Sequence, residues 1–223
     1  MSVAPVNRLR KNEILQLSRG HCKKHRHSFL EHYSCFLREN PHRERIGFLD
    51  IETTDFKADR GIVISYCIKD SYTGKTYVGR IKGRDILSKT KDKRVLKQFL
   101  EDLSNFDRVI TFYGKGFDVP FLRTRALIHG LNFPLFGWMN HDDVYFIARS
   151  KLRLSRNTQE NVSRLIGGKT DKTHFDFKVW DAARDGKEWA IKKIVDHNKR
   201  DIKDLERIYK KLIGFSRKQN ASI

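Results

Sequence analysis

Two acidic residues, Asp50 and Glu52, interrupt the apolar, strand-like run from Ile46 to Thr54. Because side chains on a strand alternate between its two faces, residues two apart emerge on the same side. Burying two like charges so close together is costly unless a cation compensates, and the candidates are a divalent metal ion or an Arg or Lys from elsewhere in the chain. Carboxylate oxygens are hard ligands, which favour Mg²⁺ or Mn²⁺.

A third acid, Asp118, follows an apolar run at 109–113 that predicts a buried strand. Gly114 and Gly116 indicate a tight connection to a helix that begins near Asp118 and continues to Gly130. In that position Asp118 could complete a cluster with the first two acids. The alternative is that it is an ordinary N-cap of the helix.

A fourth acid, Asp201, lies in a predicted helix from Lys187 to about Lys211, whose apolar residues keep helical spacing. At ~100° per residue, His197 and Asp201 fall together on one margin of the apolar stripe. From that margin the pair can reach a cleft beside the sheet. The alternative is an exposed ion pair between residues four apart on a solvated helix face.

Together these segments resemble the three motifs of the DEDD (DnaQ-like) 3′–5′ exonucleases, a group in the RNase H-like superfamily that includes proofreading domains. The resemblance covers residues 46 to about 212, and its motifs lie at 48–54, 113–122 and 197–202. The Trp-x-x-Ala segment beginning at Trp180 is similar to the stand-alone archaeal and bacterial type. One departure concerns His197, which stands four residues before Asp201: the family's histidine branch uses a spacing of five, and its tyrosine branch a spacing of four.

The resemblance implies a catalytic set in which four acids hold two Mg²⁺ or Mn²⁺ ions: Asp50, Glu52, Asp118 and Asp201. In this scheme His197 is the general base, a hypothesis whose alternative is a solvated histidine on the helix surface. The implied activity is 3′–5′ release of mononucleotides from single-stranded DNA, with a role in DNA repair. An exoribonuclease, a structure-selective endonuclease and a non-catalytic nucleic-acid-binding module are the alternatives.

The charge of the chain favours a polyanionic partner. Lys and Arg number 46 against 27 Asp and Glu, a formal net charge of +19, and nucleic acid is the usual partner of such a surplus. DNA is the expected partner, with RNA as the alternative, and a homo-oligomer is left open. The candidate nucleic-acid contacts are Thr53, Thr54, Tyr113, Lys115, Phe117 and Arg123, with Arg125 as a further phosphate contact. The alternatives are solvated surface charge for the basic residues and core packing for the aromatic ones.

Residues 1–45 differ in composition from the rest of the chain, because they hold five of the nine histidines and two of the three cysteines. Five of these side chains could supply a tetrahedral Zn²⁺ site: Cys22, His25, His27, His32 and Cys35. The alternative is a basic arm with free thiols that contacts nucleic acid, and a structural disulfide is the weakest option. Cys67 lies in an apolar strand and is expected in the core.

The predicted elements give an α/β domain at 46–215, between the 1–45 extension and a tail at 216–223. The expected architecture is an RNase H-like fold, in which helices flank a mixed central β-sheet of three antiparallel strands followed by parallel ones. Predicted strands lie at 46–54, 61–69, 75–82 and 108–113, and predicted helices at 92–105, 118–130, 157–165 and 187–211, with a short strand and a helix in 138–154. Without an apolar stretch of ~18 residues, a signal-peptide core or a polymerase domain, we expect an autonomous, soluble, cytoplasmic enzyme.

Overall fold

The computed structural model describes residues 11–135, 138–167 and 176–216. Two helices precede the sheet domain, α1 (Lys11–Arg19) and α2 (Tyr33–Glu39). The sheet domain contains, in chain order, β1 (Ile46–Thr53), β2 (Val63–Asp70), β3 (Thr76–Arg80), α3 (Gly83–Ile86), α4 (Lys93–Leu103), β4 (Arg108–Thr111), α5 (Asp118–Ile128), β5 (Asn140–Asp143), α6 (Val144–Lys151), α7 (Gln159–Leu165), α8 (Phe177–Arg184) and α9 (Glu188–Leu212). No helix of these ranges is both long and apolar enough to span a membrane.

The five strands form one mixed sheet in the order β3-β2-β1-β4-β5. Strand β1 is central: it pairs antiparallel with β2 and parallel with β4. Strands β2 and β3 pair antiparallel, and β4 and β5 pair parallel. This arrangement confirms the predicted α/β class and the predicted change from antiparallel to parallel strands across the sheet.

The alternation of β1 separates two hydrophobic cores. Leu49 and Ile51 belong to the larger core, which includes residues of α4 and α5. Phe48 belongs to the second core, with Ile202 and Leu205 from the later half of α9. Asp50 and Glu52 therefore share the face of Phe48, the face that α9 covers.

Several predicted helix boundaries agree with the structure to within a few residues. Helix α9 begins at Glu188 and ends at Leu212. Helix α7 begins after Thr158, whose side chain accepts a hydrogen bond from the Asn161 N–H, as expected for an N-cap. Cys67 is fully buried in the second core, as predicted. Two glycines follow α7, Gly167 and Gly168, a residue type common at helix ends, and Gly168 lies outside the described residues.

Candidate active site

The two carboxylates of β1 both reach α9, as the strand alternation predicts. The Asp50 Oδ2 atom accepts a hydrogen bond of 2.6 Å from the Asn198 side-chain amide. The Glu52 Oε1 atom lies 3.9 Å from His197 Nε2. The centre of the sheet and the long final helix therefore meet through polar contacts at this point.

The connection between β4 and α5 is a tight turn built around Tyr113. Tyr113 has a φ of 65°, the left-handed region that non-glycine residues seldom adopt. The two glycines let the backbone pass close to neighbouring side chains. A Cβ atom at Gly114 would lie 2.3 Å from Thr111 Oγ1, and one at Gly116 would lie 2.5 Å from the Tyr113 ring. The predicted strand therefore ends at Thr111, two residues earlier than expected.

Asp143, at the end of β5, holds this turn in place. Its carboxylate accepts hydrogen bonds from the backbone N–H groups of Tyr113, at 2.8 Å, and Lys115, at 2.9 Å. The same carboxylate caps α6 by accepting from the Tyr145 N–H. Burial raises the pKa of Asp143 above its ordinary range.

Asp118 is the most buried acid of the predicted set, with 4% of its surface exposed. It is the first residue of α5, while Phe117 occupies the N-cap position. Its Oδ1 atom accepts a hydrogen bond of 3.2 Å from the Ile51 N–H, between Asp50 and Glu52. The N-cap interpretation is therefore wrong, because the side chain joins α5 to β1.

Burial makes the ionised form of Asp118 less favourable than that of an ordinary aspartate. Burial raises the pKa of Asp118 to about 7, and the nearby Asp143 carboxylate adds to the shift. A bound cation would reverse this effect, because it stabilises the ionised form of a carboxylate.

His197 and Asp201 lie side by side on α9, with 3.4 Å between His197 Nε2 and Asp201 Oδ2. The His197 side chain is 13% exposed and also faces Glu52. The alternative of a solvated surface histidine is therefore wrong. Ligand atoms of Glu52, His197 and Asp201 all lie within 4.8 Å of one another.

The donor set at this site fits a divalent metal ion. Glu52 and Asp201 supply hard oxygen ligands beside His197, and such ligands suit Mg²⁺ or Mn²⁺. Asp50 and Asp118 are not in this close group, but Asp50 belongs to the same strand and Asp118 bonds to its Ile51 N–H. The buried Asn198 Oδ1 atom has no hydrogen-bond partner among the described residues, so a polar group is missing from its surroundings. The residues that could hold the metal are Asp50, Glu52, Asp118 and Asp201, with His197 within reach.

Three residues that orient the site were not predicted from the sequence. Asn198 fixes Asp50, Asp143 fixes the turn before Asp118, and the Gln159 side chain donates a 2.7 Å hydrogen bond to the Asp201 carbonyl. The sequence pattern could have indicated Asn198, because it is a polar residue at the centre of the apolar stripe of α9. Asp143 and Gln159 are ordinary polar residues in sequence, and nothing in their spacing distinguishes them.

The candidate nucleic-acid contacts on the turn differ in exposure. Lys115 is exposed, and Tyr113 is 46% exposed. Phe117 is half-buried, and its ring packs against Phe121. Arg123 is half-buried, with its guanidinium 5.5 Å from the centre of the Phe133 ring. Lys115 and Tyr113 are therefore the most accessible of these residues.

Arg125 does not face solvent, so its prediction as a phosphate contact is wrong. It is 6% exposed and makes a buried ion pair of 2.6 Å with Asp92. His129 Nε2 lies 2.8 Å from the same carboxylate. Arg125 therefore joins α5 to the start of α4. Its guanidinium is paired with Asp92 and is not accessible to a ligand.

Of the two threonines at the end of β1, Thr54 lines a basic hollow. The Thr53 hydroxyl donates to the Asp55 carbonyl at 2.8 Å, and the Thr54 carbonyl accepts from the Arg184 guanidinium. The hollow has a volume of about 320 Å³. Its lining residues are Thr54, Asp55, Arg60, Ile62, Ile86, Lys91 and Arg184.

The five predicted zinc ligands of the N-terminal segment also come together. Ligand atoms of Cys22, His25 and Cys35 lie within 4.8 Å of one another, and so do those of His25, His27 and His32. The cysteines are free thiols in the structure, and no disulfide joins them.

Comparisons with known proteins bear on the sheet domain. A DNA polymerase of Methanocaldococcus jannaschii is 31% identical over 90 residues, a match that takes in 32% of this chain and 6% of the polymerase. The structure of the family B DNA polymerase from the hyperthermophilic archaeon Pyrobaculum calidifontis is similar with a TM-score of 0.61 and 19% identity, over 77% of this chain and 25% of that chain. The chain thus spans a small part of each polymerase, and the structural likeness shows the fold alone.

A family model of the RNase_H superfamily matches residues 47–213. This range begins at the second residue of β1, extends past the end of α9 and contains the four acids, and it excludes the Cys/His cluster of the N-terminal segment. The match covers well over half of the chain. The protein therefore belongs to the RNase_H superfamily.

Proposed function

We propose that the protein is a metal-dependent 3′–5′ exonuclease of the DEDD type, which releases mononucleotides from the 3′ end of single-stranded DNA. The observation that carries the proposal is that acids from three separate segments meet at the end of β1. Asp118 bonds to β1 at Ile51, and Asp201 and Glu52 both face His197. Carboxylates that are buried this close together favour a compensating cation.

The chemistry of the proposed reaction is phosphodiester hydrolysis. Two Mg²⁺ or Mn²⁺ ions at the four carboxylates would supply a water of lowered pKa and stabilise the leaving 3′ oxygen. The chain itself fixes the ligands: the Asn198 amide orients Asp50, and the Ile51 N–H orients Asp118. Preorganised ligands of this kind avoid a cost of rearrangement during the reaction.

His197 is the proposed general base. Its ring is enclosed between the carboxylates of Glu52 and Asp201, which would stabilise the imidazolium that forms when it accepts a proton from the water. The position on α9, one turn before Asp201, keeps the base beside a metal ligand. The helix therefore sets the distance between the two groups.

Substrate binding would use the positive charge around the site. Lys115 is exposed on the turn before Asp118, and the hollow at the end of β1 contains Arg60, Lys91 and Arg184. These groups could hold the phosphates of a single strand, and the exposed Tyr113 ring could stack on a base. The likeness to a quarter of a family B DNA polymerase is in keeping with a proofreading-type domain.

The experiment uses one DNA sequence in two forms, a 5′-labelled linear single strand and a covalently closed circle, each incubated with protein and Mg²⁺ or Mn²⁺. An exonuclease of 3′–5′ polarity shortens the labelled strand stepwise and leaves the circle intact. The matched control is Asp50→Asn, which keeps the size of the side chain and removes its charge. An RNA strand of the same sequence tests the exoribonuclease alternative.

Other outcomes would contradict the proposal. Opening of the circle indicates an endonuclease, and immediate loss of the 5′ label as a mononucleotide indicates the opposite polarity. Binding without cleavage under all metal conditions indicates a non-catalytic module. Cleavage that survives in Asp50→Asn would separate the activity from the acid cluster.

A further inference from the structure

The N-terminal segment, residues 11–45, lies outside the range that the superfamily model matches. Neither of the two hydrophobic cores of the described residues includes a side chain from it. Its buried apolar side chains are Leu17, Cys22, Cys35 and Leu37. A segment this short with so little buried apolar surface usually needs a metal ion or a disulfide to hold its shape.

Sulfur and nitrogen atoms face one another at the centre of this segment. His25 Nδ1 lies 3.7 Å from Cys22 Sγ and 3.5 Å from Cys35 Sγ. His32 Nδ1 lies 3.3 Å from Cys35 Sγ. Zn–S bonds of about 2.3 Å and Zn–N bonds of about 2.0 Å at a tetrahedral angle place sulfur and nitrogen about 3.5 to 3.6 Å apart. The observed separations lie on both sides of that value.

The backbone presents the first two ligands on a tight turn. The Cys22 N–H donates to the His27 carbonyl, and the Arg26 N–H donates back to the Cys22 carbonyl. The His25 N–H points at Cys22 Sγ at 3.1 Å. An N–H group aimed at sulfur stabilises a thiolate, which is the form that binds a metal.

The other two ligands stand at the start of α2. His32 is the N-cap residue of this helix, and Cys35 lies in its first turn, with its N–H bonded to the His32 carbonyl. The turn and the helix thus contribute one cysteine and one histidine each. This division fixes two separate pieces of backbone to one point, which is how structural zinc sites stabilise small folds.

We propose that Cys22, His25, His32 and Cys35 bind one structural Zn²⁺ ion. His27 is the remaining histidine of the cluster, exposed and close to the His25 and His32 rings but without a sulfur atom at contact distance among the pairs described above. A zinc ion bound here holds the turn against α2. This inference does not depend on the proposed nuclease activity.

The test measures metal content and coordination in the full-length protein. We expect about one zinc per chain by elemental analysis after purification without added metal. After exchange to Co²⁺, we expect a thiolate-to-cobalt charge-transfer band and the intense visible absorption of a tetrahedral site. Because a ligand variant can unfold the segment, the cobalt spectrum of the wild-type protein provides evidence that does not depend on any variant.

Single variants assign the ligands. Cys22→Ala, His25→Ala, His32→Ala and Cys35→Ala should each lose the ion, whereas His27→Ala should keep it. The controls are His21→Ala, an exposed histidine of the same segment, and Cys67→Ala, a core cysteine; both should keep the ion. Asp201→Ala should also keep it, which distinguishes this site from the acid cluster.

Three results would overturn the proposal. The first is folded wild-type protein without zinc whose cobalt form lacks the charge-transfer band. The second is denatured, metal-free protein in which an alkylating agent leaves two cysteines unmodified unless a reductant is added first, which indicates a Cys22–Cys35 disulfide in place of a metal site. The third is loss of zinc in Asp201→Ala but not in Cys22→Ala, which would place the ion among the acids.

Discussion

The acid cluster and the Cys/His cluster both collect metal-ligating side chains, but they are assembled in opposite ways. Asp50 and Asn198 are 148 residues apart, and Ile51 and Asp118 are 67 apart. The Cys/His cluster draws its ligands from the short stretch between Cys22 and Cys35. The first cluster is positioned by a sheet, helices and two hydrophobic cores, whereas the second has little core of its own.

This difference separates the roles that a metal ion would have in each place. In the sheet domain, apolar packing positions the acids without an ion, so a bound ion would serve the proposed chemistry and would reduce the repulsion between the carboxylates. In the N-terminal segment, a bound ion would itself hold the backbone together. Removing a ligand from the acid cluster should therefore abolish activity. Removing one from the Cys/His cluster should unfold the N-terminal segment.

The largest expected effect is the loss of catalysis in Asp201→Ala and Asp50→Ala. Each variant removes a proposed metal ligand, so we expect the turnover rate to fall by about 10³-fold or more, equivalent to over ~4 kcal/mol of transition-state stabilisation. The thermal unfolding temperature should change little. The control is Asp196→Ala, on the same helix, whose side chain is 54% exposed. Activity within tenfold of the wild type in Asp201→Ala would remove the acids from the chemistry.

The next effect concerns the free energy of unfolding and its dependence on pH. The pKa of Asp118 is about 7 in the folded protein, well above the ordinary value, so the metal-free protein loses stability as pH rises from about 4, where the unfolded carboxyl ionises, to about 7. Asp118→Asn avoids this loss and can still accept from the Ile51 N–H. We expect it to be more stable than the wild type by roughly 2 to 4 kcal/mol at pH 8 without metal, and inactive.

Denaturant unfolding at pH 4, 6 and 8 measures this difference. The gap between the two proteins should be small at pH 4, grow towards pH 7 and stay constant above it. Saturating Mg²⁺ should close the gap, because it stabilises the ionised wild-type carboxylate. A constant gap at all three pH values would show that the pKa of Asp118 is the same in the folded and the unfolded protein.

A smaller effect is expected for His197, where the chain departs from the family pattern. If His197 is the general base, His197→Ala should lower turnover by about 10²-fold, and the wild-type rate should rise with pH through the range of an imidazole pKa. His197→Tyr tests the four-residue spacing of the tyrosine branch, and substantial activity would mean that this position orients the water. Lys199→Ala, exposed on the same helix, is the control. A rate independent of pH between about 6 and 8, with an active His197→Ala, would exclude this role.

The smallest effect is expected for Asn198→Ala. Loss of the 2.6 Å hydrogen bond removes one restraint on the Asp50 side chain, so we expect about a tenfold loss of turnover and a higher Mg²⁺ concentration for half-maximal rate. Titration of activity with Mg²⁺ separates the two changes. A variant with an unchanged metal requirement would show that Asn198 only fills space in the core.

Much of this molecule could be predicted from local patterns. The strand alternation around Asp50 and the helical stripe around Asp201 gave the correct faces, and the turn before Asp118 was found from its glycines. The burial of Arg125 could not be predicted, because its ion-pair partner, Asp92, is remote in sequence. The phosphate contact predicted for Arg125 and the N-cap alternative for Asp118 failed for the same reason: each residue bonds to a segment that local spacing does not reveal.

The sequence by itself determined which faces carry the acids and which residues gather around Cys22, because strand and helix periods and short loops are properties of the local backbone. The tertiary structure decided which groups touch. It joined Asp118 to β1, enclosed His197 between two carboxylates, and brought Asn198 and Asp143 into supporting positions. These contacts follow from the packing of α5 and α9 on the sheet, which depends on how apolar surfaces far apart in the chain fill space together.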